Sequence, residues 1–233
     1  VSRGPLGIYA PIFDYKIEPT LVVADFPLKW TVSYMGNLYD EGINAVLVSQ
    51  RAIPAHLMDP KIKNRSRVFY QMANIEASMF RGKNNWALMM DTDGFIAEGT
   101  GDNFFIIKDG KIYTPEGRNI LRGISRDYIF ELAEQLNIEC YEKNIEPYDV
   151  YLADEAFLTG TPFCILPTTY LNGKEIGNRA KAIQCAIREL LPDDVLVIAG
   201  KGHETSQIFD RRVLPFKDNV VARAAIASIK GLN

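Results

Sequence analysis

The chain predicts an α/β protein of the α+β kind: an antiparallel or mixed sheet with flanking helices, closed by a short α/β segment at the C-terminal end. Three observations predict it. Short apolar runs alternate with turn residues through the first 176 residues, two stretches in that region switch to helical spacing, and the pattern changes again after Ile176.

Leu21–Ala24 and Ala45–Ser49 are strand-length apolar runs between Pro- and Gly-containing breaks. From Ser66 to Arg81 the apolar residues Val68, Met72, Ile75 and Met79 recur at helical spacing, which predicts an amphipathic helix buried on that face. Trp86–Met90, Phe95–Ala97, Asn103–Ile107 and Lys111–Tyr113 read as strands, with Asp93-Gly94 and Asp109-Gly110 as hairpin turns. Ser125 opens a second helix whose Ile129, Leu132, Ala133 and Leu136 share one face, and Asp127 in its first turn suits the helix dipole. Glu155–Thr159 and Ile165–Leu171 follow as strands, the latter closed by a turn at Asn172-Gly173. Beyond a boundary placed near 176–178, a helix from Arg179 to Leu191, a strand at Val195–Ala199, a loop, a short strand and a last helix read as a parallel α/β pattern.

The whole has 233 residues, 47% hydrophobic and 24% charged, enough for a substantial core in one large domain or two modest ones. A net charge of −3 supplies no basic field for a nucleic-acid backbone, so nucleic acid is not expected as a partner. The apolar runs are strand-sized, and no basic-then-apolar signal segment opens the chain, so neither a membrane span nor a secretory route is expected. Cys140, Cys164 and Cys185 form neither a disulfide framework nor a metal-ligand pair, and their apolar neighbours predict buried free thiols in a reducing cytoplasm. The opening Val1-Ser-Arg-Gly4 reads like the middle of a domain, which predicts an upstream portion.

Chemistry concentrates in four segments. Lys63, in Asp59–Asn64 ahead of the first long helix, is placed to point an amine into a cavity; Lys61 competes for that role, and either is otherwise a solvated cation. Ile96–Asn103 sets Glu98 beside a Gly-rich turn, where a carboxylate can hold a protonated ring nitrogen. Leu121–Arg126 carries Gly123, Ile124 and Ser125 into a helix N-terminus, a ready anion site, although a Gly turn with a Ser cap has the same appearance. Thr159-Gly160-Thr161 adds hydroxyls and backbone donors at a strand end. No metal-ligand spacing is present.

In this order the segments resemble the fold-type-IV pyridoxal-phosphate enzymes, which include branched-chain and D-amino-acid aminotransferases and aminodeoxychorismate lyase. The resemblance runs from Val1-Ser-Arg-Gly4 through Asp59–Asn64, Glu98–Phe105, Tyr113–Pro115, Ile120–Arg126, Ala153–Phe157 and Thr159–Thr161, and covers residues 1–176. It implies a mixed, barrel-like sheet with flanking helices and pyridoxal 5'-phosphate as cofactor. It further implies Lys63 as the Schiff-base lysine and Glu98 on the pyridine nitrogen. Leu121 would then pack on the cofactor face, and Gly123, Ile124, Ser125 and Thr161 would surround the phosphate. Arg3, Gly160, Thr161 and Pro162 fall at the substrate side. The implied reaction is amino transfer between a branched-chain-like amino acid or an amine and a 2-oxo acid, in a homodimer. Family members carry an N-terminal domain ahead of the position of Val1, with an arginine for the phosphate. Pro162 has no N–H, so a backbone donor that branched-chain enzymes offer the substrate carboxylate is missing.

The second piece, residues 177–233, is similar to the C-terminal end of the Mur ligases that make UDP-N-acetylmuramoyl-tripeptide, through Asn178–Ile183, Ala199–Glu204, Gln207 and Leu214–Asp218. No G-x-x-x-x-G-K-[ST] loop accompanies it, so amide ligation lacks its ATP site. Two further readings stand beside transamination. One is a non-catalytic composite or truncated domain that keeps the fold, and the other is lyase-type chemistry on the same cofactor.

Overall fold

The computed structural model describes residues 8, 10–13, 18–19, 21–25, 27–64, 66–177, 179–188, 190–198, 206–209 and 212–229. In chain order the elements are α1 (Ala10–Phe13), α2 (Leu28–Met35), α3 (Leu38–Glu41), β1 (Ile43–Arg51), α4 (Val68–Ser78), β2 (Asn85–Met90), β3 (Ile96–Gly99), β4 (Asn103–Lys108) and β5 (Lys111–Thr114). They continue with α5 (Ile124–Gln135), β6 (Cys140–Glu142), α6 (Pro147–Tyr151), β7 (Glu155–Gly160), β8 (Cys164–Leu171), β9 (Lys174–Glu175), α7 (Arg179–Arg188), β10 (Ser206–Phe209), β11 (Arg212–Pro215) and α8 (Asp218–Ile229).

Alternation along the strands explains the layers. In β4, Phe104 and Ile106 point into the central core while Phe105 joins Ile129 and Ala133 of α5 on the other side. In β1 and β2, Ile43, Ala45 and Leu88 face the same centre, while Val46, Val48, Ala87 and Met89 lie under Ala73 and Ala77 of α4. Strands covered on both faces read as near-continuous apolar runs, as these do. The strands line up as β3-β2-β1-β8-β7-β4-β5-β6, and β3 also pairs with β4, so the first six close on themselves into a barrel. Its pairing is mixed: β1 runs parallel to β2 and β8, and β2–β3, β3–β4, β4–β7 and β7–β8 are antiparallel. Within this nine-stranded sheet, closure leaves the β5–β6 wing and β9 outside the ring, and β10 and β11 pair separately.

The hairpin turns sit where the dipeptides put them. Asp109 and Gly110 have φ of 51° and 75° between β4 and β5, and Asn172 and Gly173 have 50° and 77° between β8 and β9. Two left-handed residues give the primed turn whose twist matches the strands. Asn172 adds a second function, because its Oδ1 accepts from Leu47 N–H at 2.9 Å and so fixes the hairpin to β1.

Several expectations are corrected. Residues 21–25 form no strand and are exposed. The helix predicted over 66–81 is the shorter α4, and it turns the other way: Val68 is 75% and Met79 76% exposed, while Ala73 and Ala77 are buried. Small side chains let the helix axis approach β1 and β2 closely, which the large residues would prevent. Helix α5 is capped by Gly123 rather than by Ser125, without a side-chain cap, and Leu136 is exposed. Residues 194–198 are not a strand, and β10 and β11 pair antiparallel as a hairpin, in place of the expected parallel arrangement. Cys140 is half-buried and Cys164 exposed, both as free thiols, and burial pushes the Cys140 thiol up to about 11. Among the described residues no helix is long and apolar enough to cross a membrane.

Phe104 is fully buried at the barrel centre, so Phe104→Ala is expected to cost about 3–5 kcal/mol in urea unfolding. Val68→Ala on the exposed face of α4 should stay within about 0.5 kcal/mol; a loss comparable to that of Phe104→Ala would restore the orientation expected from the apolar spacing.

Candidate active site

A cleft of about 710 Å³ opens at one end of the barrel, and every wall comes from a different segment. The 60–64 loop after β1 brings Lys61 and Lys63, the end of β3 brings Glu98, the turn into α5 with its first two residues brings Leu121 to Ser125, and the end of β7 brings Thr159 to Pro162. Lys63, Glu98, Leu121, Gly123, Ile124, Ser125, Gly160, Thr161 and Pro162 are thus brought together as expected. Arg3 lies outside the described residues, as does the Ala199–Glu204 motif.

The two lysines separate. The Lys61 ammonium is bound by the Asp59 carboxylate at 3.1 Å, and the Asp59 Oδ1 also accepts the Lys61 N–H at 3.0 Å, which holds the Asp59 carboxyl below its ordinary value. Lys63 carries no such partner among the described residues and is exposed on the cleft wall, where its charge is felt by Glu98.

Glu98 lines the cleft as a buried acid, 8% exposed. Its Oε2 accepts from Leu121 N–H at 2.9 Å and from the Asn103 amide at 3.2 Å, and the same amide donates to the Leu121 carbonyl at 2.9 Å. Burial raises its carboxyl from the ordinary value to about 8, and neighbouring Asp102 adds to the rise. The Leu121 N–H and the cations Arg67 and Lys63 pull the other way without cancelling it. Desolvation without a full counter-charge describes a carboxyl set to receive a positive group. Asp102 itself is raised to about 7 by burial, and its Oδ1 has no hydrogen-bond partner among the described residues.

The anion end is built from backbone. Helix α5 starts at Ile124 with no side-chain cap, and Asp127 N–H is the first to bond back, to Gly123 at 3.0 Å. The N–H groups of the first turn therefore face the cleft with the positive end of the helix dipole. A Cβ on Gly123 would collide with Asn103 Oδ1, so the close approach of this turn requires glycine. The Thr159 hydroxyl, buried in the adjoining wall, also lacks a partner among the described residues. An unpaired amine, an undercompensated buried acid and an open set of anion donors fit the aldehyde, ring nitrogen and phosphate of pyridoxal 5'-phosphate.

Arg67, Tyr70, Asp102 and Asn103, to which no motif assigns a role, line the same cleft. Arg67 lies over the Tyr70 ring, 4.3 Å from its centroid, and donates to the Thr100 carbonyl. The signal available was position: Arg67 enters α4 only four residues after Lys63.

The family described as amino-transferase class IV matches residues 1–170. A putative branched-chain-amino-acid aminotransferase of Methanocaldococcus jannaschii is 38% identical over 143 residues, covering 61% of this chain and 49% of that protein. The branched-chain-amino-acid aminotransferase of Pseudomonas aeruginosa is 36% identical over 146 residues, covering 62% and 47%. Among solved structures, the branched-chain amino acid aminotransferase of Thermobaculum terrenum in its PLP form superposes with a TM-score of 0.55 at 34% identity, over 58% of this chain and 45% of that one. The chain spans about half the length of the curated relatives it matches.

The raised acids set a pH dependence. Between pH 5 and 8 the folded chain retains protons on Glu98 and Asp102 that the unfolded chain has released, so stability falls as pH rises through that window. The melting temperature of the cofactor-free chain should drop by roughly 5–10 °C from pH 5 to pH 8. Glu98→Gln, which keeps an acceptor for Leu121 N–H, should remove about half of that drop; an unchanged slope in calorimetric scans would place the titration elsewhere.

Proposed function

Because the chain belongs to the class IV amino-transferase family, we propose that its cleft holds pyridoxal 5'-phosphate and transfers an amino group between an amino acid of branched-chain type, or an amine, and a 2-oxo acid. The observation that carries this reading is the convergence of Lys63, Glu98 and the Gly123–Ser125 turn on one cleft.

When bound, the cofactor supplies an electron-poor ring that accepts the electron pair released as the substrate α-carbon loses its proton. The chain's own residues do the rest. Lys63 would hold the aldehyde carbon of the cofactor and, as a free amine, would move the proton to and from the substrate α-carbon as general base and acid. Glu98, anchored by Leu121 and Asn103, would keep the ring nitrogen protonated, a cationic partner that offsets part of the cost of its burial. Ile124 and Ser125 at the start of α5, with Gly123 and Thr161 beside them, hold the phosphate, and Leu121 packs on the ring. Gly160, Thr161 and Pro162 form the substrate wall, with Arg3 assigned to the same side.

Assembly follows as part of the proposal. The stripe of Val68, Met72, Ile75 and Met79 on α4 is 41–76% exposed, and this uncovered apolar face supports a homodimer. Residues 1–176 form the cofactor domain, and 177–233 a separate C-terminal segment. The division is supported by the apolar cluster of Ile183, Ile187 and Ala225, which joins α7 to α8 apart from the barrel core. For that segment we retain the Mur-ligase-like reading as one of ancestry without ligase activity. The free thiols of Cys140 and Cys164 support a cytoplasmic location.

Incubation with pyridoxal phosphate, borohydride reduction and peptide mass spectrometry should place the label on Lys63. Lys63→Ala should abolish it without lowering the melting temperature by more than about 2 °C. Label spread evenly over surface lysines would remove Lys63 from the reaction and leave the cleft as retained fold.

A further inference from the structure

Arg67 has no part in the assignments above, yet it is an exposed cation of the cleft held by two contacts. Its guanidinium face rests on Tyr70, and one edge is tied to the Thr100 carbonyl, so its plane is fixed before any ligand arrives. Thr100 is itself fastened to α4, since its hydroxyl donates to Asn74 Oδ1 at 3.0 Å. Among the described residues no carboxylate lies within ion-pair distance of Arg67, whereas Lys61 is taken by Asp59. A guanidinium has several N–H donors in a rigid fork, and only the edge toward Thr100 is spent.

Its place in the cleft matters as much as its chemistry. A second cavity of about 380 Å³ adjoins the first, and Arg67 with Thr100, Gly101 and Asp102 lines both. The far wall of that cavity is the edge-to-face pair of Trp86 and Phe163, 5.6 Å between centroids. The substrate wall following β7 places Pro162, which has no N–H, in the first cavity. An amino acid entering this cleft brings a carboxylate that must find donors as it is desolvated, and Pro162 offers none. A preoriented guanidinium matches a carboxylate bidentately.

We propose that Arg67 binds the α-carboxylate of the amino-acid substrate, so that the cleft selects amino acids over plain amines. The inference rests on the transamination reading and narrows it. Arg67 then acts as a specificity-determining residue, and its loss removes a charge-assisted contact that an amine donor never makes.

The test separates this inference from the reading beneath it. Calorimetric titration with 4-methylvalerate, which has the carboxylate but no amino group, is made on the chain with and without pyridoxal phosphate. Arg67→Met is expected to weaken binding about tenfold to a hundredfold, Arg67→Lys should recover part of the loss, and borohydride labelling of Lys63 should be unchanged in both. With activity as a second readout, KM for leucine should rise in Arg67→Met while that for 1-phenylethylamine stays the same. Unchanged 4-methylvalerate affinity in Arg67→Met, or no binding to the unaltered chain, overturns the proposal. Loss of the Lys63 label in Arg67→Met also overturns it, since Arg67 would then serve the cofactor. Failure of the unaltered chain to label at Lys63 would instead defeat the transamination reading, while the titration without cofactor would still decide the role of Arg67.

Discussion

The Oε2 atom of Glu98 accepts from the Leu121 N–H and the Asn103 amide, and that amide donates onward to the Leu121 carbonyl, so one buried carboxyl fastens β3, β4 and the turn into α5. Everything at the anion end depends on this knot. The turn that it positions presents the first N–H groups of α5, and only glycine at 123 leaves space for Asn103 beside it. Barrel closure uses the same segment, because Glu98 and Asn103 are also the residues through which β3 pairs with β4. The ring that makes the core and the wall that makes the cleft therefore share their residues, and the site is as rigid as the barrel.

Much of this was legible in the residues because it depends on local geometry. Asp109-Gly110 and Asn172-Gly173 are hairpin turns whatever surrounds them, since few other pairs accept two positive φ values. The strand at Asn103–Ile107 was likewise legible as an apolar run, which two buried faces with different neighbours require. The gathering of Lys63, Glu98, Gly123 and Thr161 was reached differently: their order along the chain resembled a family, and no spacing rule by itself would have put a loop after β1 opposite a turn before α5.

What escaped did so for physical reasons. The apolar period of α4 selects its large residues, yet the helix is seated by Ala73 and Ala77, because contact with a two-strand surface is limited by how near the axis can come. Hydrophobic spacing measures what prefers to leave water, and it does not say which partner covers it. Arg67 escaped because an arginine at a helix start reads as solvated, and its value comes from Tyr70 and Thr100, which are three and thirty-three residues away. In the C-terminal segment, β10 and β11 are too short for period to distinguish a hairpin from a crossover.

Charge balance ties these parts into one argument about how the cleft fills. Glu98 and Asp102 are both desolvated carboxyls held above their ordinary range, and the cations near them, Lys63 and Arg67, relieve Glu98 only in part. At neutral pH Glu98 therefore stays largely protonated rather than forming an ion pair, which leaves Lys63 and Arg67 as exposed positive groups available to anions. A ligand that brought only a phosphate would satisfy the start of α5 and leave Glu98 neutral. One that brings a basic ring nitrogen as well can take up the proton that Glu98 holds, and the carboxylate then gains a cationic partner without drawing a proton from solvent. The carboxylate of an amino-acid substrate then meets Arg67, since Lys63 is taken by the cofactor's aldehyde. The same burial that makes Glu98 costly in the empty chain thus biases the cleft toward a ligand carrying a ring base and a phosphate together.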